Sequence, residues 1–123
     1  MKTVYIAHPL GAGADRGANR IKATEYVMLA ANRGFAPIAD WILLSGVWGE
    51  DKREQGLAID KTLVEKCDEV WLCGSRVSPG MLIEARHAFY HGIPTYRVEL
   101  NSKDYRVWGE DEITGPGLPD VQP

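Results

Sequence analysis

The stretch EVWLCGSRVSPGMLIEARHAFYHGIPTYRV, residues 69–98, decides the fold. Glu69–Cys73 is a short aromatic and β-branched run and reads as a buried strand. Gly74-Ser75-Arg76-Val77 breaks it. Ser78 can then cap a helix with Pro79 at its first position, where the missing N–H would be unpaired anyway. That helix ends at His91-Gly92, and Ile93–Val98 forms the next strand. Strand, helix and strand in this order make a right-handed βαβ unit on a parallel sheet.

Working outward, Thr3–Ala7 (TVYIA) is a buried first strand that stops at His8-Pro9. Gly11, Gly13 and Gly17 predict a loop, followed by a helix to about Asn32. On that helix Ala23, Tyr26, Val27 and Ala30 share one face, and Gly34 stops it. Phe35–Ile38 is a brief second strand, irregular because of Pro37. Ala39–Asp51 reads as a short helix and a loop, and Lys52–Lys66 as a clear helix. Gly56, Ile59, Asp60, Leu63, Val64 and Cys67 lie on one face of it, with Asp60 the polar anomaly. Tyr105–Trp108 is a candidate fifth strand, and the short connection through Asn101–Asp104 makes it antiparallel.

The expected architecture is therefore α/β: a flavodoxin-like or Rossmann-like three-layer sandwich on a mainly parallel sheet of four or five strands, order 2-1-3-4-5. Residues 1–108 form one domain. Residues 109–123, rich in proline and glycine, form an extended tail. In that strand order the loops after strands 1 and 3 diverge over a ligand crevice, which sets Tyr5–Gly13 opposite Gly74–Glu84.

Composition narrows the function. A length of 123 residues, 45% apolar and 25% charged, is that of an ordinary single globular domain. A formal charge of −3 exerts no general pull on nucleic acid polymers or anionic membranes. No apolar run approaches the ~20 residues that span a bilayer, and nothing resembles a secretory leader. The expectation is a cytoplasmic protein. Cys67 and Cys73, without an adjacent histidine pair, lack zinc-ligand spacing and read as reduced core residues. Neither metal nor cofactor is expected.

Ser78-Pro79-Gly80-Met81-Leu82-Ile83-Glu84 is the most informative segment for chemistry. A helix start directly after a strand offers free N–H groups to an anion; Ser78 adds a hydroxyl, and Gly80 permits close approach. Glu84 sits among Met81, Ala85 and Ala88, so its carboxylate is part-buried and still reaches the crevice. Read without a ligand, the same residues are a capping serine and a solvated glutamate. Asp60 occupies an apolar position, and Arg53, two turns earlier, either pairs with it structurally or binds an anion. Two carboxylates at one crevice suit an acetal-like carbon, one attacking or stabilising an oxocarbenium-like centre and the other orienting or protonating. Tyr5 can hydrogen-bond a carboxylate or simply be core. His8 can contact phosphate, shuttle a proton, or do neither. Gly11-x-Gly13 lacks the third glycine of a dinucleotide fingerprint. Trp41 and Trp48 can stack on a base, fill the core or meet another subunit.

Val4-Tyr5-Ile6-Ala7, then Arg53, Asp60 and Cys67-Asp68, then Ser78-x-Gly80-x-x-x-Glu84-x-x-x-Ala88, together resemble the nucleoside 2-deoxyribosyltransferase superfamily over about residues 3–98. The resemblance implies Glu84 as nucleophile at the anomeric carbon, Asp60 as partner acid, and Tyr5 as the hydroxyl that positions Glu84. Ser78 stands where the transferases carry aspartate. This is similar to the 2′-deoxynucleoside 5′-phosphate N-hydrolases, in which the serine binds the 5′-phosphate, and small phage and bacterial relatives share it. His8-Pro9 departs from the family pattern. So does the short connection after strand 4, where the hydrolases place a helix that contacts the neighbouring subunit's phosphate.

The leading expectation is an enzyme that cleaves the N-glycosidic bond of a (2′-deoxy)nucleoside or its 5′-monophosphate, with water or a second base as acceptor. Its site would comprise Glu84, Asp60 and Tyr5, with His8, Gly11, Arg53, Ser78, Gly80 and Trp48 around the substrate. One alternative is a nucleotide-binding or sequestering protein without turnover; another is an interaction module with a vestigial crevice. Large apolar side chains beyond core needs (Trp41, Trp48, Tyr90, Trp108) point to a homodimer or larger homo-oligomer.

Overall fold

The computed structural model describes residues 1–100 and the backbone of 106–108. The expected tail, 109–123, and the predicted start of the last strand at Tyr105 lie outside the described residues. The strands are β1 (Thr3–Ala7), β2 (Ala36–Ile38), β3 (Glu69–Cys73), β4 (Thr95–Val98) and β5 (Arg106–Trp108). They form one sheet in the order β2-β1-β3-β4-β5, parallel except for β5, which runs antiparallel to β4. The helices are α1 (Ala14–Asn32), α2 (Asp40–Val47), α3 (Arg53–Val64) and α4 (Pro79–Tyr90), with a 3₁₀ turn at Glu50–Lys52.

Side chains alternate across each strand and split the core in two. Tyr5, Ala7, Val70 and Leu72 face one side, where they meet Val64, Met81, Ala85 and Ala88 of α3 and α4. Val4, Ile6, Trp71 and Cys73 face the other, against Tyr26 and Ala30 of α1. β3 lies at the centre and is buried along its whole length, including Glu69, whose Oε1 accepts the indole N–H of Trp71 at 2.9 Å. The predicted three-layer α/β sandwich and its strand order are what the chain adopts.

One local expectation is corrected. Gly17 lies inside α1, not in a loop before it, because the helix starts at Ala14 after Gly13 at φ +58°. A glycine inside a helix costs about 1 kcal/mol relative to alanine. Tertiary bonds from the same turns offset this: Arg16 donates to the carbonyls of Ser45 and Trp48, and Arg20 to that of Ile42. Trp41 takes one of the roles expected of it: its indole N–H donates to the carbonyl of Ile6 at 2.7 Å and its ring packs against the core, while the residue also lines the cleft described below.

Candidate active site

α4 starts as its sequence dictates. The Ser78 hydroxyl accepts the N–H of Met81 at 3.3 Å, Pro79 occupies the first helical position, and Met81, Leu82 and Ala85 bury the helix against the sheet. That burial carries Glu84 inward to 6% exposure, directly over β1. The Tyr5 hydroxyl, itself fully buried, donates to Glu84 Oε2 at 2.6 Å across 79 residues of sequence. Asp60 reaches the same place from α3 and is 8% exposed.

A third carboxyl, Asp40 at the start of α2, completes the cluster. Sequence reasoning missed it, because an aspartate in the first turn of a helix is commonplace there. With every carboxyl ionised, both oxygens of Asp40 and Oδ1 of Asp60 would be buried without a donor. A proton held on Asp60 and donated to Asp40 serves Asp60 Oδ1 and one of the two Asp40 oxygens. Burial, then the charge of Glu84, then Asp40, push the Asp60 carboxyl up to about 10. Burial also raises Glu84, to about 7; hydrogen bonds from Tyr5 and Asp60 hold it down, and the charge of Asp40 adds to the rise. Tyr5 is driven well above its ordinary value, first by burial and then by Glu84, so it stays a donor. The two acids are thereby pushed apart, one toward a neutral donor and the other toward a carboxylate available near neutrality.

The cluster opens into a cleft of about 510 Å³ at the carboxyl ends of β1 and β3, within the usual range for a small-molecule site. His8, Gly11, Trp48, Arg53, Asp60, Ser78, Gly80 and Glu84 all line it, and Tyr5 lies beneath. Every residue singled out from the sequence is thus brought together. The Arg53–Asp60 ion pair is not formed: Arg53 is exposed, and among the described residues it makes no ion pair. Its guanidinium lies instead over the start of α4, 3.7 Å from where a Cβ on Gly80 would be. His8 donates from Nδ1 to the carbonyl of Pro9 at 2.7 Å, and burial lowers its affinity for a proton. It is therefore neutral, with Nε2 free to accept, and suits proton transfer better than a cationic grip on phosphate. Arg16, Lys52 and Arg76, unremarked in the sequence, also line the cleft. Cys67 and Cys73 are free and buried, as expected.

Fold and cleft define an α/β domain of the flavodoxin-like type with a buried carboxyl–tyrosine site at its topological switch point. The chain belongs to the family described as Domain of unknown function (DUF7768), whose model matches residues 2–98. No curated protein and no solved structure matches it. Among the described residues no helix is long and apolar enough to cross a membrane.

The buried acids make stability depend on pH. A carboxyl raised in the folded state contributes most stability below its unfolded value and loses it as pH rises. The Asp60 contribution therefore declines from about pH 4 upward. Asp60→Asn should be more stable than the parent at pH 8, by about 1–3 kcal/mol, with the difference closing toward pH 4. Urea denaturation across that range tests this; identical pH slopes for the two proteins would refute it.

Proposed function

We propose that the protein cleaves the N-glycosidic bond of a nucleoside or nucleoside 5′-monophosphate. The observation that carries this reading is the 2.6 Å bond from Tyr5 to Glu84 beside Asp60, whose carboxyl is pushed up to about 10 by burial and neighbouring charge, in a cleft that admits a small molecule. In the first step the Glu84 carboxylate forms a bond to the anomeric carbon while the carbon–nitrogen bond breaks. The electron pair leaves with the base, which takes the proton of Asp60. Water or a second base then gives a proton to the Asp60 carboxylate and attacks the anomeric carbon, whose bond to Glu84 breaks with the electron pair returning to the carboxylate, giving hydrolysis or transfer respectively. Tyr5 fixes the oxygen that does not attack. A protein that merely sequestered a nucleotide would have no need for three acids buried beneath the ligand.

The anionic end of the substrate is assigned to the start of α4. The Gly80 N–H, the Ser78 hydroxyl and the Arg53 guanidinium meet there, and Arg76 stands on the same rim. This arrangement favours the 5′-monophosphate over the free nucleoside. Assembly into a homo-oligomer is part of the same reading: Leu43 and Val47 on α2, which packs against α1, are 74% and 77% exposed. On α1, Ile21 and Met28 are 70% and 64% exposed. Together they offer a second copy of the chain an apolar surface.

Glu84→Gln should lower base release by about a thousandfold or more while the fold persists, read by chromatography of free base. The parent's rate should rise with pH through about 7 as Glu84 ionises and fall near pH 10 as Asp60 loses its proton. A folded Glu84→Gln protein with near-parental turnover would end the proposal. Arg53→Met should weaken binding of the monophosphate by about 1–3 kcal/mol and leave the nucleoside unchanged; equal effects on both would remove Arg53 from the phosphate site. Light scattering over a dilution series should show at least a dimer, and Leu43→Glu should dissociate it. A monomer at every concentration would exclude this assembly.

A further inference from the structure

At the far end of the α3–α4 pair from the cleft lies a second cluster of polar side chains. His87, on α4, and His91, which ends it, are spaced i, i+4 on one helical face; Glu65 follows the last residue of α3. Glu65 Oε1 lies 2.8 Å from His87 Nε2 and 3.3 Å from His91 Nε2, and the two imidazole centroids are 4.3 Å apart. One ligand atom from each of the three residues lies within 4.8 Å of the others.

Hydrogen counting shows that a cation, either a proton or a metal ion, must lie between His91 and Glu65. His91 Nδ1 is 2.8 Å from the carbonyl oxygen of His87, which can only accept, so Nδ1 carries a hydrogen. In a neutral imidazole Nε2 then has only a lone pair, and that lone pair faces a carboxylate oxygen at 3.3 Å. Two acceptors in contact repel unless a cation joins them. His87 adds another imidazole nitrogen at the same oxygen, and this residue is 8% exposed with its Nδ1 lacking a hydrogen-bond partner among the described residues.

We infer that Glu65, His87 and His91 form a site for a divalent transition metal of the zinc type. Two histidines one helical turn apart and a carboxylate are a proven zinc donor set. Tetrahedral ligands at zinc bond lengths of about 2.0–2.2 Å stand roughly 3.3–3.5 Å apart, so His91 already has the right separation from Glu65. His87 needs Glu65 to withdraw by roughly half an ångström, which an exposed side chain permits. The Nδ1–H bond from His91 to the backbone fixes its ring with Nε2 toward the metal, the usual outer support of a histidine ligand. Three protein ligands leave the fourth position to water. Cys67 and Cys73 take no part; the histidine spacing was present in the sequence, but its partner, Glu65, is 22 residues from His87 and only the fold supplies it. A metal here would clamp α3 to α4, roughly 7.5 Å along α3 from Asp60 and 4.5 Å along α4 from Glu84.

The test is titration of chelator-treated full-length protein with Zn²⁺ by calorimetry and with Co²⁺ by visible absorption. We expect one equivalent bound per chain, four-coordinate Co²⁺ bands, a higher melting temperature, and weaker binding as pH falls and the imidazoles take protons. His91→Ala and Glu65→Gln, both at exposed positions, should each weaken binding by about tenfold or more. Glu84→Gln should bind as the parent does, because the cleft carboxyls are not ligands. No saturable binding in the parent would mean that a proton alone joins His91 to Glu65, and would overturn the proposal. So would loss of binding in Glu84→Gln with retention in His91→Ala.

Discussion

The hydrogen bond from Tyr5 to Glu84 is the contact on which the site depends. It joins the first strand of the sheet to the helix that follows the third, and it does so beneath a cleft, where water does not compete. In bulk water such a bond is worth little net free energy, but a buried carboxylate without a donor is costly, so each group constrains the other. The phenol can reach Glu84 only because β1 and β3 are parallel neighbours, with Tyr5 opposite Val70. Exchange two strands and Glu84 would be an orphaned buried charge.

Around that bond the protein accumulates negative charge instead of dispersing it. Asp40, Asp60 and Glu84 come from the starts or middles of three helices and all act on Tyr5. Among the described residues no ion pair reaches them: Arg53 stands at the cleft mouth, and Arg16 is held by the carbonyls of Ser45 and Trp48. Such crowding is tolerable only if at least one acid keeps its proton, and Asp60 is the one most raised. A structural role alone would be better served by apolar residues of similar size, whereas an acid and a carboxylate side by side are what bond cleavage at an acetal-like carbon would use.

The helix pair α3–α4 carries two polar clusters. On the cleft side, within the body of each helix, stand Asp60 and Glu84; toward the C-terminal ends stand Glu65, His87 and His91; Val64, Ala85 and Ala88 are fully buried. α3 and α4 pack directly on each other, so the distance between Asp60 and Glu84 depends on that contact.

Strand periodicity, the Ser78-Pro79 helix start and the alternation of elements were legible because they depend on neighbours in sequence: β1, β3 and the start of α4 fall where local chemistry puts them. Glu84 and Asp60 stood out for a related reason, as carboxyls at positions whose helical neighbours are apolar. What tertiary structure alone decided is partnership. Arg53 and Asp60 lie on one helix at a spacing that permits a pair, yet Asp60 turns into the protein and Arg53 out to the cleft, because burial against α4 and β1 selects the rotamer. Gly17 looked like a helix breaker until Arg16 and Arg20 found carbonyls on α2. Asp40 looked like any first-turn aspartate, and only the return of the chain beside β1 sets it among two other acids. Local sequence determines which conformation each segment prefers. Which charges must share a proton depends on contacts between residues far apart in the chain, and those exist only after folding.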